Sequence, residues 1–305
     1  VGAVAAAVVV AVVAVAESGN ALLPDHALGI GWRSEICGLI DQLDGLDFCE
    51  VIAESLPASA AVPPELEALR ARGTSVVPHG VTLSLGGVEP VDDQRIAHLA
   101  LCAERVSAPL VSEHVAFVRA GGLEAGHLLP VPRTRASLEV LTRNIVRTQD
   151  GLPVPLAVEN IAALFDWPDD EFTESEFLTE LVERTGAYVL IDIANVYANA
   201  RNRGRDPLSE LRRLPVDRLA YCHIAGGTES DGHYHDTHQH PVPAEVLALV
   251  AEFTTDYPAP LMLERDGNYP PAEELLDELD AIANAAARAP ITARARAARS
   301  VRGRV

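Results

Sequence analysis

The chain contains no lysine: all 24 of its basic residues are arginine, set against 44 aspartates and glutamates. That absence excludes a Schiff-base lysine and the lysine of a phosphate-binding loop together. The formal charge of −20 argues against nucleic acid as a partner, because phosphate neutralisation needs a basic surface. Cysteine is scarce too. Cys37, Cys49, Cys102 and Cys222 form no Cys-x-x-Cys pair. This sets aside a zinc ribbon and a disulfide framework and points to buried thiols in a reducing, cytoplasmic setting. Cys222 precedes His223, but strand alternation turns it the other way, into the core. A membrane-length apolar span is also missing. Residues 1–16 are an Ala/Val run, short of the about 20 residues a spanning helix needs. Ala14-Val15-Ala16 has the small residues of a cleavage site, yet no basic residue precedes the run as a signal peptide requires. We expect no membrane association. Residues 1–20 read as an extension outside the functional unit, 21–285 as one domain, and 286–305 as an Ala/Arg-rich tail that is frayed or disordered.

What is present is a large apolar fraction, 48% of 305 residues, enough for one large core. Short Val/Ile/Leu-rich runs alternate with helical patterns. The expected strands are 27–33, 48–54, 75–83, 110–117, 156–160, 188–195, 219–225 and 260–265. Their near-continuous apolar character suits strands buried on both faces. The expected helices include 64–72, 91–106, 133–148, 175–185 and 243–253, with proline and acidic residues at several starts. Eight strands alternating with helices imply an α/β fold, a single-domain (β/α)8 TIM barrel. An open doubly wound sheet is the alternative, weakened by the missing Gly-x-Gly-x-x-Gly after the first strand.

Six successive strands end in a histidine or carboxylate: His79, His114, Glu159, Asp192, His223 and Glu264. One such residue would be an ordinary core histidine or carboxylate. Six at the end of the barrel where active sites assemble need partners that packing does not supply, and a metal supplies them. The loop after His223 adds His233, His235, Asp236, His238 and His240. His233, His235 and His240 read as a solvated loop. Asp236 and His238, two apart, can face one ion if the loop is extended. These donors exceed what one ion with an open position takes, so two or three ions are implied. Nitrogen and oxygen donors without cysteine suit iron, manganese or zinc alike. A central carboxylate such as Glu159 is the natural bridge.

At these residues the chain resembles the multinuclear non-haem iron-dependent oxidases, whose best-known members make the copper-binding peptide methanobactin. The matching blocks include Pro78-His79-Gly80-Val81-Thr82-Leu83-Ser84, Ser112-Glu113-His114, Val158-Glu159-Asn160, Asp192-Ile193-Ala194-Asn195-Val196-Tyr197, His223-Ile224-Ala225-Gly226, Asp236-Thr237-His238 and Leu263-Glu264-Arg265-Asp266. With blocks in the first two strands they cover roughly residues 27 to 285. The resemblance implies a TIM barrel holding two or three iron ions and using O2. His79, His114, Glu159, Asp192, His223 and Glu264 would hold two ions, with Glu159 bridging. Asn160, Asn195, Asp236 and His238 would hold a third. Glu159 and Asp192 become the expected catalytic carboxylates, flanked by Tyr197, Arg265 and Asp266. Ser55 stands where the family tends to have asparagine, which leaves Glu54 outside the set. The implied activity is oxidation of a residue, commonly cysteine, in a ribosomally made precursor peptide, aided by a small leader-recognising partner protein. Two competing readings remain: a divalent-metal sugar isomerase or phosphoesterase on the same barrel, and a metal-binding scaffold without catalysis.

Overall fold

In a parallel strand the side chains alternate between two faces, and here one face looks into a closed barrel. The computed structural model describes residues 22–295; the apolar run at 1–16 and the end of the tail, 296–305, lie outside the described residues. The barrel strands are β1 (Leu28–Trp32), β2 (Phe48–Ile52), β3 (Ser75–Gly80), β4 (Val111–His114), β5 (Leu156–Glu159), β6 (Tyr188–Asp192), β7 (Leu219–Ile224) and β8 (Leu261–Leu263). Each pairs in parallel with its chain neighbour, and β1 pairs with β8 to close the ring. The expected barrel is therefore the observed fold. Between the strands run α1 (Cys37–Ile40), α2 (Pro64–Ala71), α3 (Asp93–Val106), α4 (Arg135–Asp150), α5 (Glu174–Thr185), α6 (Ile193–Asn202), α7 (Pro207–Leu211), α8 (Ala244–Asp256) and, after β8, α9 (Ala272–Ala285). Local chemistry starts several of them. Pro64 opens α2, and Thr173 caps α5 in a reciprocal capping box with Glu176.

The interior has two levels. Phe48, Val77, Leu110, Ala157, Leu190, Tyr221 and Met262 share a small apolar cluster that floors the barrel. Two residues further along those strands, on the same face, stand Glu50, His79, Ser112, Glu159, Asp192, His223 and Glu264, all buried. Residues of the opposite parity on these strands, among them Cys49, Val76, Val111, Val158, Ile191 and Cys222, belong to the larger core between barrel and helices. Cys222 thus packs away from the site, as alternation requires.

Three local departures shape the mouth. The expected strand at 110–117 stops at His114, and Ala116–Ala120 instead pairs with Leu123–Pro130 as a hairpin above the barrel. The expected strand at 188–195 stops at Asp192, whose carboxylate accepts from the Asn195 amide and caps α6, so Asn195 lies on a helix. A second hairpin, Gly227–Ser230 with His233–Asp236, rises after β7. At the opposite end, the described part of the tail packs on the barrel. Arg288 donates to the carbonyls of Ala27 and Ala259, Ile291 is buried, and Arg294 pairs with Asp47 at 2.6 Å. Among the described residues no helix is long and apolar enough to cross a membrane.

Gly226 joins β7 to the second hairpin, and a Cβ there would overlap the carbonyl oxygens of His240 and Pro241. Backbone cannot rotate aside as a side chain can. Gly226→Ala is expected to cost about 1–3 kcal/mol, the usual penalty for overpacking, read as a lower urea midpoint. An unchanged midpoint would mean that residues 237–241 move away freely.

Candidate metal centre

The strand ends converge as the alternation demands. His79 Nε2 lies 3.3 Å from His114 Nε2 and 3.6 Å from Glu159 Oε2, and His114 Nε2 lies 3.4 Å from that same oxygen. Across the mouth, His223 Nδ1 is 3.3 Å from the other oxygen, Glu159 Oε1, and 2.9 Å from Glu264 Oε2. Asp192 completes this second group, and Asp192, Asp236 and His238 form a third. His238 Nε2 is 2.9 Å from Asp236 Oδ2 and 3.8 Å from Asp192 Oδ2. The two oxygens of Glu159 therefore face different donor sets, while Asp192 belongs to two of them.

These donors fit metal ions better than they fit one another. Glu159 Oε2, Asp192 Oδ2, His223 Nδ1, Asp236 Oδ1 and Glu264 Oε2 are buried without a hydrogen-bond partner. Unpartnered buried polar atoms are expensive. His223 Nδ1 and Glu264 Oε2 approach to 2.9 Å yet stay unpartnered. Atoms about 2.1 Å from a common ion are about 3.4 Å apart at the tetrahedral angle, close to the 3.3, 3.4 and 3.6 Å edges of the first group. The titration pattern reflects the same crowding. Burial, with Asp236 beside it, pushes the Asp192 carboxyl well above its ordinary value. Burial would lower His223, but Glu50 and Glu264 push it well above the ordinary histidine range. Burial would likewise lower His114, which Glu159 and Glu113 bring up to about 9. Glu264 is opposed by burial and still held well below the usual carboxylate range by His238 and His223.

Each clustered histidine has its other ring nitrogen held. Glu50 Oε2 sits 2.8 Å from His223 Nε2, Ser112 Oγ 2.8 Å from His79 Nδ1, Glu113 Oε1 3.2 Å from His114 Nδ1, and Asp266 Oδ2 3.2 Å from His238 Nδ1. Such partners orient a ligating imidazole and raise its basicity. Arg33 in turn holds Asp266 at 2.6 Å. Sequence reading singled out Asp266 but missed Glu50, Ser112, Glu113, Tyr221 and Arg33. The available signal was parity: Glu50 follows Phe48, and His223 follows Tyr221, by one inward step.

The remaining sequence-derived candidates divide. Asp236 and His238 do meet, but not through an extended loop. His238 has φ 53°, a left-handed conformation, and its carbonyl accepts from the Asp266 amide at 2.8 Å. The Asn160 carboxamide is spent on both backbone groups of Asp192, and Asn195 Nδ2 donates to the Asn160 carbonyl at 3.1 Å. In this arrangement the asparagines tie β5 to α6. Tyr197 packs edge-on against Tyr234 of the second hairpin at 5.0 Å and so supports the segment carrying Asp236. Arg265 turns away, bonding Glu278 at 3.3 Å and the Asn268 carbonyl, and does not pair with Asp266. Glu54 accepts from Val81 N and Thr82 Oγ1, outside the cluster. His233, His235 and His240 form no part of the donor groups among the described residues.

Against known proteins, the family model described as "RiPP precursor modification enzyme MbnB/TglH/ChrH" (RiPP denoting a ribosomally made, post-translationally modified peptide) matches residues 27–287. A UPF0276 protein of Streptomyces avermitilis is 53% identical over 262 residues, covering 83% of this chain and 54% of that protein. The chain thus spans about half the length of that relative. A UPF0276 protein of Caulobacter vibrioides is 38% identical over 77% of this chain and 84% of its own length. Among solved structures, endonuclease IV from Thermus thermophilus has TM-score 0.57 at 17% identity, covering 85% of this chain and 99% of its own. D-psicose 3-epimerase from Clostridium cellulolyticum has TM-score 0.55 at 12% identity, covering 86% and 96%. These two share the barrel architecture.

Stripping metal with a chelator is expected to lower the unfolding temperature, since an ion at a thousand times its dissociation constant contributes about 4 kcal/mol. The stripped protein should also lose stability as pH rises from about 6.5, the ordinary histidine value, through the His114 value of about 9. The sign follows because the raised His114, His223 and His238 stabilise the fold only while protonated. Urea midpoints at several pH values, with and without metal, check both; identical curves would remove the metal centre.

Proposed function

We propose, from the premise that the chain belongs to the RiPP precursor modification enzyme family MbnB/TglH/ChrH, that it is a multinuclear iron-dependent oxidase. It uses dioxygen to modify a residue, a cysteine, of a ribosomally made precursor peptide. The observation that carries this reading is Glu159, whose two oxygens lie in different donor groups, 3.4 Å from His114 Nε2 and 3.3 Å from His223 Nδ1. A carboxylate so placed would be able to hold two ions at once.

His79, His114 and Glu159 would hold one ion, and Glu159, Asp192, His223 and Glu264 a second, with Asp192, Asp236 and His238 offering a third position. Bound iron would supply a Lewis acid for a substrate thiolate and a redox partner for dioxygen. The protein's own part is placement. The apolar floor formed by Phe48, Val77, Leu190 and Met262 closes the barrel below the donor groups. The thiols of Cys49 and Cys222, next in sequence to Glu50 and His223, do not compete. Burial pushes Cys49 and Cys222 up to about 12, and both face the helices. A thiolate at the centre would come from the peptide. Loops and hairpins at the mouth would receive that peptide, with a small partner protein recognising its leader.

Protein purified without oxygen is expected to carry at least two equivalents of iron and a mixed-valent diiron signal in electron paramagnetic resonance. Glu159→Ala should lose more than one equivalent; loss of a single ion would remove the bridge. Stoichiometric zinc or manganese, together with no oxygen-dependent mass change of a cysteine-bearing precursor peptide after iron reconstitution, would overturn the oxidase.

A further inference from the structure

Below the donor groups lies a hydrogen-bonded chain that ends on one carboxylate. The Tyr221 hydroxyl donates to Glu50 Oε2 at 2.5 Å. A hydroxyl carries a single proton. With the tyrosine proton on Glu50, the 2.7 Å contact between Ser112 Oγ and the Tyr221 oxygen must be Ser112 donating. Ser112, its proton spent, can only accept across the 2.8 Å contact with His79 Nδ1. His79 is then protonated at Nδ1, and its lone pair on Nε2 faces His114 and Glu159 at 3.3 and 3.6 Å. A second arm is direct. His223 donates from Nε2 to the same Glu50 oxygen at 2.8 Å, so Nδ1, 3.3 Å from Glu159 Oε1 and 2.9 Å from Glu264 Oε2, is the ring atom left to face an ion.

We propose that Glu50 is a positioning residue that sets two metal-binding histidines on opposite ring nitrogens, His79 through Nε2 by way of Tyr221 and Ser112, and His223 through Nδ1 directly. The inference rests on the metal-centre reading above and goes beyond its ligand set. Glu50 touches neither substrate nor the donor atoms that face an ion. It acts by deciding where two protons sit, and it does so from inside the barrel, where Glu50 and Tyr221 are both fully buried. Since Glu50 accepts from both arms, one residue orients donors of two neighbouring groups that otherwise meet only at Glu159.

The two arms can be cut separately, which gives the test. The full chain, stripped and reloaded with zinc as a diamagnetic probe, is examined with 15N-labelled histidine rings. His79 is expected to show its proton on Nδ1 and zinc on Nε2, and His223 the reverse. Tyr221→Phe cuts only the longer arm. It should weaken zinc at the His79 group by about 10–100-fold, the usual effect of losing such a partner, while the His223 ring proton and the affinity of its group stay as in the parent. Glu50→Met should weaken both groups, and Glu50→Gln, which keeps an acceptor oxygen, should restore part of the loss. Circular dichroism of the stripped variants separates these effects from misfolding; if Glu50→Met does not fold, Tyr221→Phe alone decides. Both histidines bound through the same ring nitrogen, or Tyr221→Phe weakening both groups equally or neither, would overturn the role of Glu50. A parent chain that binds no zinc would instead overturn the metal centre, and this inference with it.

Discussion

Everything above the barrel floor follows from one constraint: carboxylates and imidazoles are buried side by side where water cannot solvate them. Glu159, Asp192 and His223 have at most 1% of their surface exposed. Burying one ionised group unpaired is costly, and burying several together is tolerable only if cations or directed hydrogen bonds compensate. Directed hydrogen bonds hold the outer ring nitrogens of the histidines, and among the buried atoms left without one are Glu159 Oε2, Asp192 Oδ2, His223 Nδ1 and Glu264 Oε2. Each of those four residues belongs to a donor group that could hold a metal ion.

The surroundings are organised by the same need. Helix α6 begins directly at Asp192, so the carboxylate caps its own helix while its second oxygen stays in the cluster. The hairpin at 227–236 is braced by Tyr197 and Asn202 against α6, which delivers Asp236 to the opening. His238 then bends back through a left-handed backbone held by Asp266, itself held by Arg33 from β1's end. Strain at such a residue persists only where neighbours over-determine it, and here the carboxylates of Asp236 and Asp266 hold its two ring nitrogens. Membership of a family that modifies precursor peptides accords with a barrel whose open end carries all of this apparatus and whose other end is sealed by Arg288 and Ile291.

Much of this was legible in the sequence because two periodicities coincide. The eight apolar runs reported the strands, and the polar residue ending each run reported the site, since parallel barrel strands all finish on one face. The departures have separate physical origins. Strand ends at 115 and 193 were overrun because Val115 and Ile193 are as apolar as the residues before them; what stops the strands is a hairpin pairing in one case and a helix cap in the other. The paired loop residues Asp236 and His238 were recognised, but the turn between them was not, because histidine carries no signal for positive φ as glycine does.

The sequence by itself determined the barrel, the inward histidines and carboxylates at its mouth, and the absence of a lysine to offer other chemistry. Those are properties of residue type and of an alternation fixed by covalent geometry, and they need no knowledge of which strands meet. Only the tertiary structure decided that Glu159 places its two oxygens in separate groups, and that Asn160 and Asn195 are spent on backbone. It also decided that Glu50, 171 residues from Tyr221 in the chain, accepts a hydrogen bond from its hydroxyl. These depend on contacts across the barrel, between residues whose separation along the chain carries no trace of their distance in space.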